Sequence, residues 1–299
     1  MKCKVCKGEA FIKFPAHNAA FCEEHFDAFF IRQVEKAIRR YGMLSPGAGV
    51  MVAVSGGKDS LVVADVLSLL GYAVRGLHID LGIDDNGFSA QSREVSASFF
   101  SRRGLPLQVL DLRETFGMSV VEAGRRFPRF CSLCGMTKRY LMNRTAAEAG
   151  VEALVTGHNL DDLASALLAN VLRWDLRYLA KTLPVLPGEN GFARKVKPLA
   201  LLSEREIAAY AGVHAIQVVT ARCPYSTEAK FLRFKRVLND IEDQSPGTKR
   251  RFYEGYVDAA HLFQTSGGVQ GGALRPCTVC GMPTSAEVCS FCKTWRGRR

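Results

Sequence analysis

No apolar run in this chain approaches the roughly 20 residues that a membrane-spanning helix requires, so a transmembrane protein is excluded. The chain opens Met1-Lys2-Cys3-Lys4-Val5-Cys6, without an apolar signal segment, which points to the cytoplasm. Ten cysteines in 299 residues are far too sparse for a secreted disulfide scaffold. In the cytosol such cysteines more often bind metals or catalyse than form disulfides. Nor are apolar residues scarce enough for disorder: 47% are hydrophobic, which fills the core of one large domain or two ordinary ones. Acidic residues are what the chain is short of, with 29 Asp and Glu against 40 Lys and Arg and a formal charge of +11. That excess suits a polyanionic partner, although charge by itself says nothing about fold.

The cysteines are grouped rather than spread. Cys3-x2-Cys6, fifteen residues, then Cys22-x2-His25 gives four N/S donors in two knuckles. Two tight turns of this kind deliver four ligands to the corners of a zinc tetrahedron, at about 2.0–2.3 Å. Cys277-x2-Cys280, eight residues, then Cys289-x2-Cys292 is a second set, of four thiolates. The alternatives are metal-free reduced pairs or redox dithiols. A redox CxxC opens a helix beside a strand, however, whereas these sit in short Gly-, Pro- and Lys-rich tips. Both sets read as closed structural zinc sites that fold and dock the termini without chemistry. Three cysteines are left over: Cys131-x2-Cys134, and Cys223 after 88 intervening residues. Six Lys and Arg and no acid occupy 125–147 around the first pair, and Arg222 adjoins the last, which favours thiolates. Inert buried thiols, a persulfide or disulfide relay, and an iron–sulfur cluster all stay open on the residues alone.

Between the terminal groups the pattern alternates. A helical stretch follows His25, with Phe26, Phe29, Phe30, Val34, Ala37, Ile38 and Tyr41 recurring every three or four residues, and the run at 45–49 breaks it. Strands are expected over 50–54, 73–79, 107–110, 153–156 and 215–219, and helices over 58–70, 89–103, 137–149 and 160–174. Ser203-Glu204-Arg205-Glu206 reads as a capping box opening another helix. Alternating strands and helices imply an α/β fold with a parallel sheet covered on both faces. Four glycines within 266–275 read as a flexible linker.

The strand at 50–54 runs into Ser55-Gly56-Gly57-Lys58-Asp59-Ser60 and then a helix. Glycines let a backbone approach phosphate oxygens, helix-start amides favour the anion, and the two serines and Lys58 add donors and charge. It is not a Walker A loop, because its glycines are adjacent and Asp follows the lysine. The segment at 54–60 resembles the SGGxDS loop of the PP-loop ATP pyrophosphatases, which adenylate a substrate and release pyrophosphate. Thr156-Gly157-His158-Asn159-Leu160-Asp161-Asp162 resembles the GHNxDD segment of their tRNA-thiolating branch. The whole layout, with both cysteine fingers, the CxxC, and Cys223-Pro224-Tyr225-Ser226, is similar to the TtuA/TtcA-type tRNA 2-thiouridine synthetases and their archaeal and eukaryotic wobble-uridine relatives.

The resemblance implies a parallel-sheet PP-loop core, adenine nucleotide alpha hydrolase-like, flanked by N- and C-terminal zinc fingers. The domains would be a finger at 1–30, a helix and linker at 31–48, the PP-loop catalytic domain at 49–265, a Gly-rich linker at 266–276 and a finger at 277–299. Ser55, Gly56, Gly57, Lys58, Asp59 and Ser60 would hold ATP phosphates, with Ala53 and Ile79 near the adenosine and Gly157 at the nucleotide-side turn. Cys131, Cys134 and Cys223 would ligate a [4Fe-4S] cluster with one iron left open. Lys138 and Asp162 would line the reaction centre. The family also implies a ubiquitin-like sulfur carrier protein with a C-terminal thiocarboxylate, and a homodimer.

The chemistry agrees with that role. Replacing the C2 oxygen of uridine by sulfur needs a better leaving group than hydroxide, and adenylation supplies AMP. Mg²⁺ with Lys58 or Lys138 offsets phosphate charge, and the open iron would hold sulfide near the activated carbon. Asp162 is expected to bind Mg²⁺ or orient the base, although it and Asp161 both also suit a helix N-cap. His158 reads as a turn histidine bonded to backbone, and His17, His78, His214 and His261 have no partner at useful spacing. Arg125, Arg126, Arg129, Lys138, Arg139 and Arg144 surround the CxxC. Lys230, Arg233, Lys235 and Arg236 follow Cys223, interleaved with Phe231 and Phe234, which read as core. Lys249, Arg250, Arg251 and the tail Arg296, Arg298 and Arg299 complete a tRNA-binding surface. The expected function is ATP-dependent 2-thiolation of a tRNA uridine or 5-methyluridine, with the T-loop position favoured over the wobble position. A different adenylating PP-loop enzyme and a non-catalytic zinc-ribbon RNA-binding protein are the alternatives. The sulfur-handling cysteines argue against the first, and the intact SGGKDS and GHNLDD segments against the second.

Overall fold

The computed structural model describes residues 1–125, 127, 129–174, 176–179, 181–189, 191–225, 230–265 and 274–296, with only the backbone described at 177, 230, 231 and 263–265. Arg126, Ser226, the glycines at 266–273, Arg298 and Arg299 therefore lie outside the described residues, as do the side chains of Lys230 and Phe231.

At the N-terminus β1 (Ile12–Phe14) pairs antiparallel with β2 (Ala19–Phe21) across a 3-10 turn. The helix α1 (Glu23–Arg40) follows, and its Phe26, Phe30, Val34, Ala37 and Ile38 form the buried stripe that the spacing predicts. Glu23 and Glu24 at its start and Arg39 and Arg40 at its end complement the helix dipole. His25 stands in its first turn, so the metal knuckle and the helix are one continuous unit across the expected boundary at 30.

The core then runs β3 (Gly49–Val54), α2 (Lys58–Leu69), β4 (Ala73–Asp80), α3 (Phe88–Arg102) and β5 (Leu107–Asp111). Two short helices, α4 (Leu112–Phe116) and α5 (Val120–Gly124), lead to α6 (Phe130–Glu148), β6 (Ala153–Val155), α7 (Leu160–Val171) and the single turn α8 (Leu176–Leu179). After β7 (Val185–Leu186) and β8 (Lys195–Val196) come α9 (Glu204–Val213), α10 (Lys230–Gln244) and α11 (Thr248–Thr265). The C-terminal module is β9 (Arg275–Pro276), β10 (Pro283–Thr284) and α12 (Ser290–Trp295).

Six strands form one sheet in the order β5-β4-β3-β6-β8-β7, parallel throughout except for β7 against β8. Alternate residues of β3 serve its two faces. Val50, Val52 and Val54 join a core with α1, α2, α7, α9 and α11, while Met51 packs with Leu77, Leu154 and Ala146 of α6 on the other side. Burial on both faces is why β3 reads as an unbroken apolar run. Each such side chain taken from water contributes about 1.5–3 kcal/mol. Among the described residues no helix is long and apolar enough to cross a membrane.

Four expectations change. The segment at 215–219 is not a strand: Ala215 takes φ 47° as the chain leaves α9, and the Ile216 amide bonds back to Ala211. Ile216 and Val218 pack on the β3 core, and the Val219 amide donates to the Gly56 carbonyl of the loop after β3. The helix expected over 137–149 begins at Phe130, so Cys131 and Cys134 sit inside its first turns. The N-cap of α7 is Asn159 rather than Asp161 or Asp162, with Asp162 as the returning partner of a capping box. The C-terminal hairpin starts at Arg275, two residues before Cys277. The capping box at Ser203 and Glu206 forms as read.

Candidate active site and metal centres

Strand β3 ends at Val54, and the chain turns through Ser55, Gly56 and Gly57 into α2. Gly56 has φ 73°, and a Cβ there would meet the Ser92 carbonyl oxygen at 3.0 Å, so both conformation and space demand glycine. The Ser55 amide donates to Ser60 Oγ at 3.2 Å, Ser60 Oγ donates to the Gly57 carbonyl at 2.9 Å, and Ser92 Oγ donates to the Ser55 carbonyl at 2.6 Å. No side chain caps α2, whose first amides are left for an anion.

The second turn, from β6 into α7, packs directly on the first. A Cβ on Gly157 would lie 2.7 Å from the Asp59 carbonyl carbon and 2.8 Å from the Ser60 nitrogen. Asn159 uses both ends of its amide: Oδ1 accepts from the Asp162 amide at 3.0 Å and Nδ2 donates to Asp59 Oδ1 at 3.0 Å. These turns flank the crevice at the carboxyl ends of β3 and β6, where the strand order reverses and open α/β sheets bind ligands.

That crevice opens into a cavity of about 580 Å³. Ser55, Gly57, Asp59 and Ser60 line it, with Ala53 and Ile79 alongside and Gly157, Asp162, Lys138, Cys134 and Cys223 completing it. Three expected residues are not in its lining: Cys131, Gly56, which packs against Ser92, and Lys58, which lines a neighbouring cavity of about 610 Å³ with Glu204. The Lys58 ammonium donates to Asp59 at 3.0 Å and to Glu204 at 3.0 Å, and although burial opposes its charge, these carboxylates raise its pKa. Glu204 Oε2 also accepts from Lys235 at 2.8 Å, and Lys235 donates to Asp162 Oδ1 at 3.2 Å. Lys58, Glu204, Lys235 and Asp162 thus form one alternating chain of charges. His158 faces the same cavity, bonded to the Thr156 hydroxyl at 2.8 Å rather than to backbone, and burial first and then Lys197 lower its pKa.

Cys134 on α6 and Cys223 both line the cavity, whereas Cys131, one turn earlier on α6, is exposed and outside the lining, its thiol donating to the Tyr225 carbonyl at 3.2 Å. Burial pushes the Cys134 thiol up, against the attraction of the adjacent Lys138. Cys223 and Cys131 both act electrostatically on Cys134, so the three thiols are neighbours, a donor set that fits an iron–sulfur group.

The terminal sets each gather four donor atoms within 4.8 Å of one another: Cys3, Cys6, Cys22 and His25, and Cys277, Cys280, Cys289 and Cys292. Burial works against ionisation at Cys3, yet backbone amides from Cys22, Cys6 and Val5 bring its thiol down to about 6. Cys277 also falls to about 6, with the Cys289 amide donating to its sulfur at 3.3 Å. Amide-supported thiolates at tetrahedral spacing suit zinc. The C-terminal finger docks through Trp295, whose Nε1 donates to Thr137 Oγ1 at 3.0 Å, and through Phe291, stacked on Tyr140 at 3.6 Å between ring centroids.

Glu204 enters the sequence pattern only within the capping box of α9 and Lys235 only within a basic cluster, and neither pattern signals their pairing with Lys58 and Asp162. Ser89, Ser92 and Ser96 form a buried polar seam on α3, where Ser96 Oγ donates to the Ser92 carbonyl and lies beside His78, whose Nδ1 bonds the Val54 carbonyl at 3.1 Å. The serine repeat at three- and four-residue spacing was the available signal. His17 and His214 do have partners, Glu206 at 2.8 Å and Asp27 at 2.6 Å, which tie the N-terminal module to α9. Of the basic clusters, Lys138 and Arg139 line the cavity, but Lys249 is buried against Asp161 at 2.5 Å and is lost to any RNA surface. Phe234 is only partly buried and lines a groove with Leu168, Val237 and Phe252.

The family description "2-thiouridine synthetase TtuA, N-terminal LIM domain" matches residues 2–27, and that of the PP-loop domain matches residues 27–233. The chain is 44% identical to the tRNA-5-methyluridine(54) 2-sulfurtransferase of Pyrococcus horikoshii, over 99% of this chain and 94% of the relative. It is likewise 44% identical to the protein of that name from Thermus thermophilus, over 99% and 91%. The structure resembles the U34-tRNA thiolase NcsA from Methanococcus maripaludis, solved with its [4Fe-4S] cluster, at a TM-score of 0.81 and 26% identity, over 100% of this chain and 96% of that one. The chain belongs to the PP-loop family and, within it, to the family of the tRNA-5-methyluridine(54) 2-sulfurtransferases.

Proposed function

We propose that this protein is a cytoplasmic tRNA sulfurtransferase that uses ATP to convert a T-loop uridine or 5-methyluridine to its 2-thio form. The observation that carries this is the single cavity in which the Ser55–Gly57–Ser60 cradle meets Cys134, Cys223, Lys138 and Asp162. Nucleotide and sulfur chemistry share one chamber, as a two-stage replacement requires.

In the first stage the uridine C2 oxygen attacks the α-phosphorus of ATP and pyrophosphate leaves. In the second, a sulfur nucleophile adds at C2 and AMP departs with the original oxygen. Amides at the start of α2 and the hydroxyls of Ser55 and Ser60 hold the phosphates, Ala53 and Ile79 flank the adenosine, and Lys138 offsets charge developing between phosphate and base. Asp162, fixed by the α7 capping box, orients the base or holds Mg²⁺. Cys131, Cys134 and Cys223 would hold a [4Fe-4S] cluster, which on three thiolates keeps one iron open to a sulfur ligand. Each terminal set would hold one zinc. A ubiquitin-like carrier with a C-terminal thiocarboxylate supplies the sulfur, and the enzyme acts as a homodimer.

The test is pyrophosphate release from ATP by anaerobically prepared protein supplied with sulfide as the sulfur donor, with and without tRNA, followed by mass spectrometry of the tRNA nucleosides. Release that depends on tRNA, with a 2-thio base in the T-loop, is expected; no release sinks the enzyme reading. A second reading, thiolation of the wobble uridine, is favoured by the likeness to NcsA. Sulfur found in the anticodon rather than the T-loop would establish it instead.

A further inference from the structure

Lys58 belongs by sequence to the phosphate loop, yet its ammonium is turned out of the cavity that the loop lines. It is held there by two carboxylates, Asp59 at 3.0 Å and Glu204 at 3.0 Å. The first is its own neighbour. The second comes from the start of α9, and its backbone amide is pinned by Asp161 Oδ2 at 2.7 Å. We propose that Glu204 is a positioning residue for nucleotide binding, holding Lys58 outside the phosphate cradle until a polyphosphate draws it away. The inference rests on the nucleotide reading of the loop and extends it to a residue outside the loop and the GHNLDD segment.

The exchange leaves each carboxylate with a hydrogen-bond partner. When Lys58 leaves, Glu204 keeps Lys235 at 2.8 Å, and Asp59 keeps the Asn159 amide at 3.0 Å. Lys235 in turn keeps Asp162 at 3.2 Å, so the far end of the chain stays anchored beside the reaction centre. Partial burial opposes the charge on Glu204, but hydrogen bonds from Lys235 and Lys58 outweigh it and hold the carboxyl below the usual range. It is therefore ionised at neutral pH and competes with phosphate for Lys58 as a full negative charge. Half-exposed ion pairs are individually weak, which suits a contact that must break in each turnover.

The experiment is a calorimetric measurement of Mg²⁺-loaded non-hydrolysable ATP analogue binding to the full chain, in a cycle of wild type, Glu204→Gln, Lys58→Met and the double variant. Glu204→Gln should tighten binding about threefold, the scale of one such pair. Glu204→Ala should do the same, and both effects should vanish in the Lys58→Met background. A Glu204 variant that weakens binding, leaves it unchanged, or shifts it equally in both backgrounds overturns the proposal. Failure of wild type to bind the analogue at all would overturn the nucleotide reading itself, and this inference with it.

Discussion

Replacing Gly157 by alanine probes the contact on which the whole site depends. The backbone conformation there is an ordinary one, without positive φ, so an added methyl group costs nothing through torsion. Its cost is steric. The Cβ would meet the Asp59 carbonyl carbon at 2.7 Å, the Ser60 nitrogen at 2.8 Å and the Asp59 oxygen at 2.9 Å, all backbone atoms of the first turn of α2. No side chain can swing aside, so the two turns must separate by several tenths of an ångström, and the Asn159–Asp59 bond across them lengthens. Overpacking of this kind costs about 1–3 kcal/mol. Because the displaced atoms form the phosphate cradle, the cost falls on nucleotide binding, and at about 1.4 kcal/mol per factor of ten it weakens ATP about 5- to 150-fold. The assay is the KM for ATP in tRNA-dependent pyrophosphate release, with Gly49→Ala as control, since nothing lies within 4 Å of a Cβ there. A Gly157→Ala protein with unchanged KM and unchanged melting temperature would refute the argument.

Three further outcomes are expected. Cys223→Ser should strip visible absorbance and most iron from anaerobically purified protein while two zincs per chain remain; loss of zinc as well would mean a collapsed fold rather than a missing cluster ligand. Trp295→Ala should undock the C-terminal finger at a cost of about 3–5 kcal/mol, read as faster amide exchange across 277–296, whereas unchanged protection there would count against the docking role. Lys197 is buried with its ammonium on the Leu183 carbonyl, and burial first, then Lys195, lowers its pKa from 10.5 to about 8. Both states carry its proton below pH 8, where the fold bears the cost of a buried charge; between pH 8 and 10.5 the unfolded chain binds the extra proton, so stability rises with pH. Lys197→Met should remove a rise of about 3 kcal/mol across that window, and parallel melting profiles for the two proteins would contradict it.

Much of the fold was legible because its signals are local. The apolar run of β3, the three- and four-residue stripe of α1 and the capping box at Ser203 each follow from neighbours in sequence. The false strand at 215–219 shows the limit. Its residues suit a strand, but Ala215 leaves α9 in a left-handed conformation, which turns the segment to run over the phosphate loop instead of pairing. At the start of α6 the helical spacing of Phe130, Leu133, Cys134, Thr137 and Leu141 is present in the sequence, but a Cys-x2-Cys pair there reads equally as a turn.

The sequence by itself determined which atoms can bind what. Cys-x2-Cys and Cys-x2-His spacings fix donors within one turn of each other, and adjacent glycines before a helix expose amides, whatever the rest of the chain does. Only the tertiary structure decided how those parts face one another. Strand order put the turns after β3 and β6 side by side, and α6 carried Cys134 and Lys138 into the same cavity. Packing of α9 on α2 turned Lys58 toward Glu204, and packing of α11 on α7 buried Lys249 on Asp161. Charges far apart in sequence meet through long-range packing, and no local pattern encodes which of two lysines stays free to meet a phosphate.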